Sequence, residues 1–520
     1  MKVVAPSVVR ELDRRTIAAG TPGLVLMERA AAAVAREVMH AILRRPSRGM
    51  RVVVVAGTGN NGGDGFEIAR LLARLPARWH VEAVLVGDPA RVRGEARLTY
   101  QRLLQSEVRV VRARSQADLE SVHAASLVVD ALFGTGLSRP IEAGSLEAMT
   151  LEAIAGSRAF VVAVDVPSGL DAGRVTPIGP HVTADVTVSF GHPKPALVGL
   201  PAAAACGRVV VADIGLVPLL PEDDEPAPEV LAARDVAPLF PRREAEAHKG
   251  DFGRLGLLAG SPGMSGAAVL SAGAALASGA GLVTVLADEA VRSAVHTLLV
   301  EAMSSPPDTA LTGFAALAAG PGLGASEEAR ANVRRALSSP LPAVFDADAL
   351  NAFAGAPEAF RRNPATVLTP HPGEAARLLS TTAAAVNRDR EAAALELSRR
   401  SSAVVVLKGF RSLVANPGGR VVKVLAGNPS MAKGGSGDVL TGIVGALLAR
   451  GFSAWDAATA GALLHGLAGD LAREASHEES VIASDLVRAL PEAFQAVHES
   501  GRSPSVPQDP LATSPAPPPA

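Results

Sequence analysis

The stretch "VVVVAGTGNNGGDGFEIARLL", Val52 to Leu72, sets a polar, glycine-rich turn between a Val-rich strand and a helix. Gly57, Gly59 and Gly62 have the G-x-G-x-x-G spacing of a dinucleotide-binding turn. Asp88, in "LVGDP", stands where such a domain keeps the acidic residue that binds ribose hydroxyls. That half of the pattern reads as hydride transfer. The other half points elsewhere. Asn60, Asn61, Gly62, Gly63 and Asp64 present amides, a carboxylate and bare backbone at a helix N-terminus, where phosphate binds well. The loop alone does not choose between the two.

Two further strand ends carry unusual polar groups. Asp130 follows "LVV" and leads into "ALFGTGLSRP", and Asp165 follows "VVAV" and leads into "PSGLDAG". A single such Asp commonly caps its loop. Three polar loops at three strand ends instead suggest one crevice, because open α/β sheets bind ligands at the carboxyl ends of their strands.

The second half of the chain has its own constellation. "NPSMAKGGSGDVLTGIVGALLA", Asn428 to Ala449, puts a glycine turn directly before an apolar helix. The N–H groups of Gly435, Ser436 and Gly437 can form an anion hole reinforced by the helix dipole. Asp438 then stands in the first turn, as a cap or as a base beside a phosphoryl group. Lys408 ends the apolar run "SAVVVLKG", where a lysine needs an anionic partner. His371, between two prolines, reads equally as a polar contact or a loop histidine. Asp346 and Asp348 read as a capped loop or as a magnesium–phosphate contact.

The elements that position these residues form two sets. From Arg51 to Gly215 the strand-like runs are "RVVVVAG", "HVEAVLVG", "EVRVVRA", "SLVVDALFG", "AFVVAVDVPSG", "DVTVSFG" and "GRVVVADIG". Near-continuous Val-rich runs suit a parallel sheet covered on both faces. A long helix, "TPGLVLMERAAAAVAREVMHAIL", precedes them. "PLLPEDDEPAPEV" then breaks the pattern as a linker. The second set runs through "GRLGLLAGS", "GLVTVLAD", "FAALAAGPGLG", "PAVFDADAL", "ATVLTPHPGE", "SAVVVLKGF" and "RVVKVLAGN". The tail "GRSPSVPQDPLATSPAPPPA" is expected to be disordered.

A length of 520 residues favours two domains over one core. No short-period repeat relates the halves, so they read as fused, not duplicated. Fifty Lys and Arg nearly balance 52 Asp and Glu, which leaves no basic footprint for nucleic acid. The single Cys206 excludes an internal disulfide framework and suits a reducing cytoplasm. "MKVVAPSVVRELDRR" becomes charged too early for a secretory signal. Residues 259–287 carry no charge and are long enough to span a bilayer. Their Gly, Ala and Ser content reads instead as loop, closely packed small-residue helix, then strand, so no membrane partner is expected.

Taken together, "GNNGGDG", "VVDALFGTGL" and "VAVDVPSGLDA" resemble the epimerase domain of NAD(P)H-hydrate repair proteins over residues 1–217. One departure is Glu28-Arg29, where that family usually has Asn or Glu-Asn. The resemblance implies a potassium ion among Asn61, Asp130 and Ser168. It places the hydrated nicotinamide nucleotide against Asn60, Asn61, Gly62, Gly63 and Asp64, against Gly134, Thr135, Gly136, Leu137, Ser138, Arg139 and Pro140, and against Asp165. Asp165 would transfer the proton as C6 of the ring is inverted.

"HKGDFGRLGLLAGSPGMSGAAVLSA", "GPGLG", "DADALN", "LTPHPGE", "LKGFRS" and "NPSMAKGGSGDVLTG" resemble, in order, the NAD(P)H-hydrate dehydratases over residues 230–497. Ser430 and Lys433 stand where that family often has Gly and Thr. Here the resemblance implies hydrated cofactor near Ala267, Gly324, His371 and Asp438, and ADP or AMP along Lys408, Gly409, Phe410, Arg411, Ser412 and Gly437, with Mg2+. Asp165 and Asp438 are then the two catalytic residues.

The expected fold is α/β: a Rossmann-like doubly wound parallel sheet domain (1–217), a linker (218–229), a ribokinase-like α/β domain (230–497) and a tail (498–520). The expected activity is repair of hydrated NADH and NADPH, by epimerisation and by ADP-dependent dehydration of the S epimer, releasing AMP and phosphate. The partners expected are these small molecules and further copies of the chain, in the cytoplasm. A ribokinase-type phosphotransferase is the alternative; it leaves the N-terminal half unexplained. A non-catalytic nucleotide sensor is a third reading.

Overall fold

All seven Val-rich runs of the N-terminal half form strands in a computed structural model of the chain. They are β1 (Met50–Ala56), β2 (Trp79–Val86), β3 (Arg109–Ala113), β4 (Leu127–Ala131), β5 (Phe160–Val164), β6 (Val186–Phe190) and β7 (Arg208–Ala212). The structure describes residues 1–45, 49–75, 79–220, 228–362 and 365–500. These divide into two units, one of residues 4–220 and one of residues 228–497 joined by Met1–Val3. Most of the expected linker and the tail from Gly501 lie outside the described residues.

In the first unit every strand pairing is parallel and the order is β3-β2-β1-β4-β5-β6-β7. Val52 to Val55 of β1 and Val128 and Val129 of β4 are wholly buried, which is why the runs do not alternate with polar residues. Burying each such side chain is worth about 1.5–3 kcal/mol. The helix Gly23–Arg44 supplies part of the cover through Ala30, Ala31, Val34 and Val38. Strand order reverses between β1 and β4, so the chain leaves them in opposite directions and opens a crevice at their carboxyl ends.

The glycine spacing of the first loop has a packing cause. A Cβ on Gly57 would lie 2.2 Å from the carbonyl oxygen of Leu132, and one on Gly62 would lie 1.9 Å from that of Gly57. Gly57 lets the loop after β1 close against the loop after β4, and Gly62 lets the start of the next helix fold back onto Gly57. Asp88, the residue the redox reading needed, caps the turn Pro89–Arg91 and pairs with Arg112 at 3.3 Å on the surface.

The second unit has a ten-stranded sheet. Its strands are β8 (Glu229–Leu231), β9 (Arg254–Leu258), β10 (Leu282–Leu286), β11 (Met303–Ser305), β12 (Ala316–Ala319), β13 (Ala343–Phe345), β14 (Thr366–Leu368), β15 (Val404–Leu407), β16 (Leu413–Ala415) and β17 (Val421–Val424). The order is β11-β10-β9-β12-β13-β14-β15-β16-β17-β8, parallel as far as β15 and antiparallel at β15–β16 and β16–β17. Glu229, the last residue of the expected linker, already belongs to β8. Val3 donates its N–H to the carbonyl of Pro228 at 3.1 Å, so the first residues of the chain lie beside that strand.

The uncharged stretch 259–287 is a loop, the helix Ser265–Ala277 and then β10. Its close approach is to the helix Ser436–Ala449: a Cβ on Gly442 would lie 2.1 Å from the carbonyl oxygen of Ser271. Small residues on both helices permit that contact. No helix among the described residues is long and apolar enough to cross a membrane.

Candidate active sites

In the first unit the loops after β1, β4 and β5 meet at Asp130. This carboxylate, on the last residue but one of β4, has no exposed surface and is tied to the turn after β5. Ser168 donates its N–H to Oδ2 at 2.8 Å and its hydroxyl to Oδ1 at 2.6 Å. The Ser168 hydroxyl in turn accepts from Phe133 N at 2.8 Å. Burial pushes the Asp130 carboxyl up to about 6, against the lowering effect of the bonds from Ser168. Asn61 sits across from them, for a Cβ on Gly134 would lie 2.7 Å from its Oδ1. Asn61 Nδ2 is buried without a hydrogen-bond partner among the described residues. Gly134 to Pro140 continue from this point as a mostly exposed loop.

A second cluster lies at the end of β5. Asp165 has a left-handed backbone (φ 67°) and only 7% exposure. Its Oδ1 takes Lys194 Nζ at 2.5 Å, Ser189 Oγ at 3.2 Å and Phe190 N at 3.4 Å. Two more carboxyls face it. Asp64, just past the first turn of the helix Asn60–Ala73, is held well above the usual carboxylate range by burial, then by Asp165 and Asp13. Asp13, on the helix Pro6–Ala18, is raised to about 6 by burial, with Lys194 opposing and Asp165 adding to the rise. Asn60 to Asp64 and Asp165 are thus brought to one rim.

The second unit gathers its site in the same way, at the ends of β13, β14 and β15. Lys408 Nζ donates to Asp346 Oδ1 at 2.7 Å and lies 3.7 Å from Glu374 Oε2. Thr441 donates its hydroxyl to the other oxygen of Asp346 at 2.8 Å. Burial works against the Lys408 ammonium, but Asp346, Glu374 and Asp438 outweigh it and hold its pKa above the usual lysine value. The glycine turn begins with Gly435 at φ 92°, where a Cβ would lie 2.7 Å from Leu270 Cδ1. A Cβ on Gly437 would lie 3.1 Å from Lys408 Nζ, so the turn and the lysine are in contact. Asp438, in the same first turn, is pushed up to about 6 by burial and by Asp346, with Lys408 opposing and Asp348 and Glu374 adding.

The remaining expected residues have contacts of their own. Asp348 accepts from Gly324 N at 2.8 Å. The neighbouring Gly322 approaches Ala267, for a Cβ there would lie 2.9 Å from that of Ala267. His371 resolves as the cap of the helix Pro372–Leu379: its Nδ1 accepts from Gly373 N at 3.0 Å, and its Nε2 lies 3.4 Å from Glu374. Its exposed side chain keeps one face open. In the strap Lys408–Ser412, Ser412 Oγ donates to the carbonyl of Gly409 at 3.1 Å, Arg411 is buried at φ 52°, and Phe410 is exposed.

Comparison with known proteins supplies the family. Residues 255–492 match the NAD(P)H-hydrate dehydratase family and residues 23–196 the family described as YjeF-related protein N-terminus. The bifunctional NAD(P)H-hydrate repair enzyme Nnr of Moorella thermoacetica is 39% identical over 505 residues, 92% of this chain and 93% of that one. The chain belongs to the bifunctional NAD(P)H-hydrate repair enzymes. The Nnr protein of Thermofilum pendens is 36% identical over 97% of this chain and 98% of its own. A crystal structure of the ADP/ATP-dependent NAD(P)H-hydrate dehydratase from Bacillus subtilis, co-crystallised with ATP/Mg2+, is 31% identical with a TM-score of 0.48. That alignment covers 52% of this chain and 98% of that one.

A repair enzyme of this family carries an epimerase and a dehydratase part, and the two carboxyl-rich centres lie one in each. Sequence reasoning passed over several residues of these centres. Lys194 carried a weaker form of the signal that singled out Lys408, a lysine four residues after a buried strand, in "VTVSFGHPKP". Asp13 and Thr441 carried none, and neither did the approach of Glu374 to Lys408, since these roles arise from neighbours far away in the chain. Where this enzyme has Glu28-Arg29, Glu28 pairs with Arg102 at 2.6 Å and Arg29 donates to the carbonyl of Ile214 at 3.0 Å. Lys433, another departure, donates to the carbonyl of Glu479 at 2.5 Å.

Proposed function

We propose that the first unit interconverts the R and S epimers of hydrated NADH and NADPH, and that the second dehydrates the S epimer at the expense of ADP. The observation that carries the dehydratase half is Asp438 and Lys408 beside the glycine turn of the helix Ser436–Ala449. N–H groups of Gly435, Ser436 and Gly437 face an incoming phosphate together with Lys408. Asp438 takes the proton from the C6 hydroxyl of the hydrated ring as that oxygen attacks the β-phosphorus of ADP, and AMP leaves. The ring nitrogen then expels phosphate from C6. Loss of a proton from C5 restores the ring double bond. The balance is hydrated cofactor plus ADP to reduced cofactor, AMP and phosphate.

The donor sets fit the ions this reading includes. Among the described residues no group of His, Cys, Asp and Glu forms a complete metal cage. Asp346, Asp348, Glu374 and Asp438 around a single Lys408 nevertheless leave an excess of oxygen donors. Magnesium is usually held by one or two carboxylates plus substrate phosphates, and it would neutralise charge on ADP there. In the first unit, Asn61, Asp130 and Ser168 offer an amide, a buried carboxylate and a hydroxyl, the hard oxygen donors potassium takes.

Incubation of the protein with hydrated NADH, ADP and magnesium is expected to restore the absorbance of the reduced ring with one AMP formed per NADH. A phosphorylated product that accumulates without reduced ring would instead make the protein a phosphotransferase. Binding without turnover would make it a sensor.

The nucleotide strap has a support that can be tested separately. Arg390 donates through Nη2 to the carbonyls of Leu407 at 3.2 Å and Lys408 at 3.3 Å, and through Nη1 to that of Phe410. Hydrogen bonds from a charged donor are worth about 1.5–3 kcal/mol, so Arg390→Met is expected to raise KM for ADP about tenfold or more. The turnover number should change by less than about threefold, since no bond reaches the reacting atoms. A KM unchanged in steady-state assays would remove Arg390 from nucleotide binding.

A further inference from the structure

We propose that Lys194 is a positioning residue of the epimerase centre, holding Asp165 by one carboxylate oxygen so that the other faces the substrate. This rests on the reading that Asp165 transfers the proton. Asp165 is bound asymmetrically. Oδ1 receives all three of its donors, from Lys194, Ser189 and Phe190, whereas Oδ2 has no hydrogen-bond partner among the described residues. The backbone is fixed as well, for Asp165 N donates to the carbonyl of Val188 at 2.7 Å and φ is 67°. A carboxylate pinned at its main chain and at one oxygen has one direction left in which to act.

Lys194 is spent entirely on this arrangement. Its ammonium has no exposed surface, and its three N–H bonds go to Asp165 Oδ1 at 2.5 Å, Ser189 Oγ at 2.9 Å and the carbonyl of Phe190 at 3.0 Å. No donor remains for substrate, so its effect passes through Asp165. The surrounding charges show why a cation is needed there. Asp13 from the helix Pro6–Ala18 and Asp64 from the helix Asn60–Ala73 both face Asp165, and each raises the cost of ionising another. Lys194 is the cation among these three carboxyls. Two like charges in one site oppose the ionisation of both, and an adjacent ammonium offsets that.

The test is interconversion of a single purified epimer by the full-length protein without ADP, followed by chromatography. Wild-type protein that fails to interconvert the epimers overturns the underlying reading, whatever Lys194 does. Given wild-type activity, Lys194→Met is expected to lower kcat about a hundredfold, within the range for a mispositioned proton-transfer group. KM should stay within about threefold, since Lys194 makes no substrate contact. The acid limb of kcat/KM should move up by about one pH unit or more, as Asp13 and Asp64 then face Asp165 with no cation between them. Lys194→Arg should restore the limb, and part of kcat. A structural role alone would not move the limb, so a limb unchanged in Lys194→Met, or kcat within threefold of wild type, overturns the proposal. Thermal melts and the dehydratase activity of the same variant report whether it folds. If Lys194→Met does not fold, Ser189→Ala decides. It keeps the ammonium and removes the hydroxyl shared by Lys194 and Oδ1. A three- to tenfold loss of kcat at constant KM supports the positioning role, and no loss overturns it.

Discussion

Asp438→Asn is expected to lower ADP-dependent dehydration by 10²–10⁴-fold, the usual cost of losing a positioned acid or base. Epimerisation should be untouched, because Asp130, Asp165 and Lys194 belong to the other unit. The pH dependence follows from the same carboxyl. A base must be ionised to act, and burial with Asp346 alongside raises Asp438 to about 6. The wild-type kcat/KM for dehydration should therefore fall as pH drops through about 6, and that limb should vanish from the residual rate of the variant. The sign for stability runs the other way. A carboxyl whose folded pKa lies above its unfolded value of 3.8 binds more protons when folded, so it costs stability as pH rises from about 4 through 6. Asp438→Asn should thus melt no lower than wild type at pH 7.5. A variant that lost activity and also melted well below wild type would have failed by misfolding. Near-normal dehydration by a folded variant would remove Asp438 from the chemistry.

The second large effect concerns potassium and the first loop. If Asn61, Asp130 and Ser168 hold the ion, potassium should raise the melting temperature of the epimerase unit over that in lithium. At a hundredfold excess over Kd the stabilisation is about 2.7 kcal/mol. For a unit of this size that corresponds to roughly 5–10 °C. Asp130→Asn is the informative variant. It keeps the shape of the side chain and an acceptor for Ser168 N, but removes the only formal charge among the three ligands. The difference between potassium and lithium should disappear in the variant, and epimerase activity should fall, because the loops after β1 and β4 lose their common anchor. Asp130→Ala would confound the result by also breaking the bonds that hold the turn at Ser168. A wild-type melt indifferent to potassium would sink the ion site, and Asp130 would then be the organiser of that turn alone.

Local pattern was enough to determine much of this protein. The seven strands of the first sheet, the three polar loops at strand ends, the glycine turn before the helix Ser436–Ala449 and the small-residue helix in an uncharged stretch were all legible. Each is a signal carried within about ten to twenty residues: apolar runs, their punctuation, and glycine where backbone comes close. Tertiary structure alone decided the rest. β8, β11 and β16 are three residues each, too short to show a period, and exist because a neighbouring strand offers its edge. The partners of the candidate site residues are equally non-local. Lys194 meets Asp165 across 29 residues because β6 pairs beside β5, and Lys408 and Thr441 meet Asp346 across 62 and 95 because β13, β14 and β15 lie side by side under the helix Ser436–Ala449. Composition and spacing can offer a carboxylate at a strand end. Which cation or hydroxyl stands 3 Å away depends on strand order, and strand order is set by pairings among segments far apart in the chain.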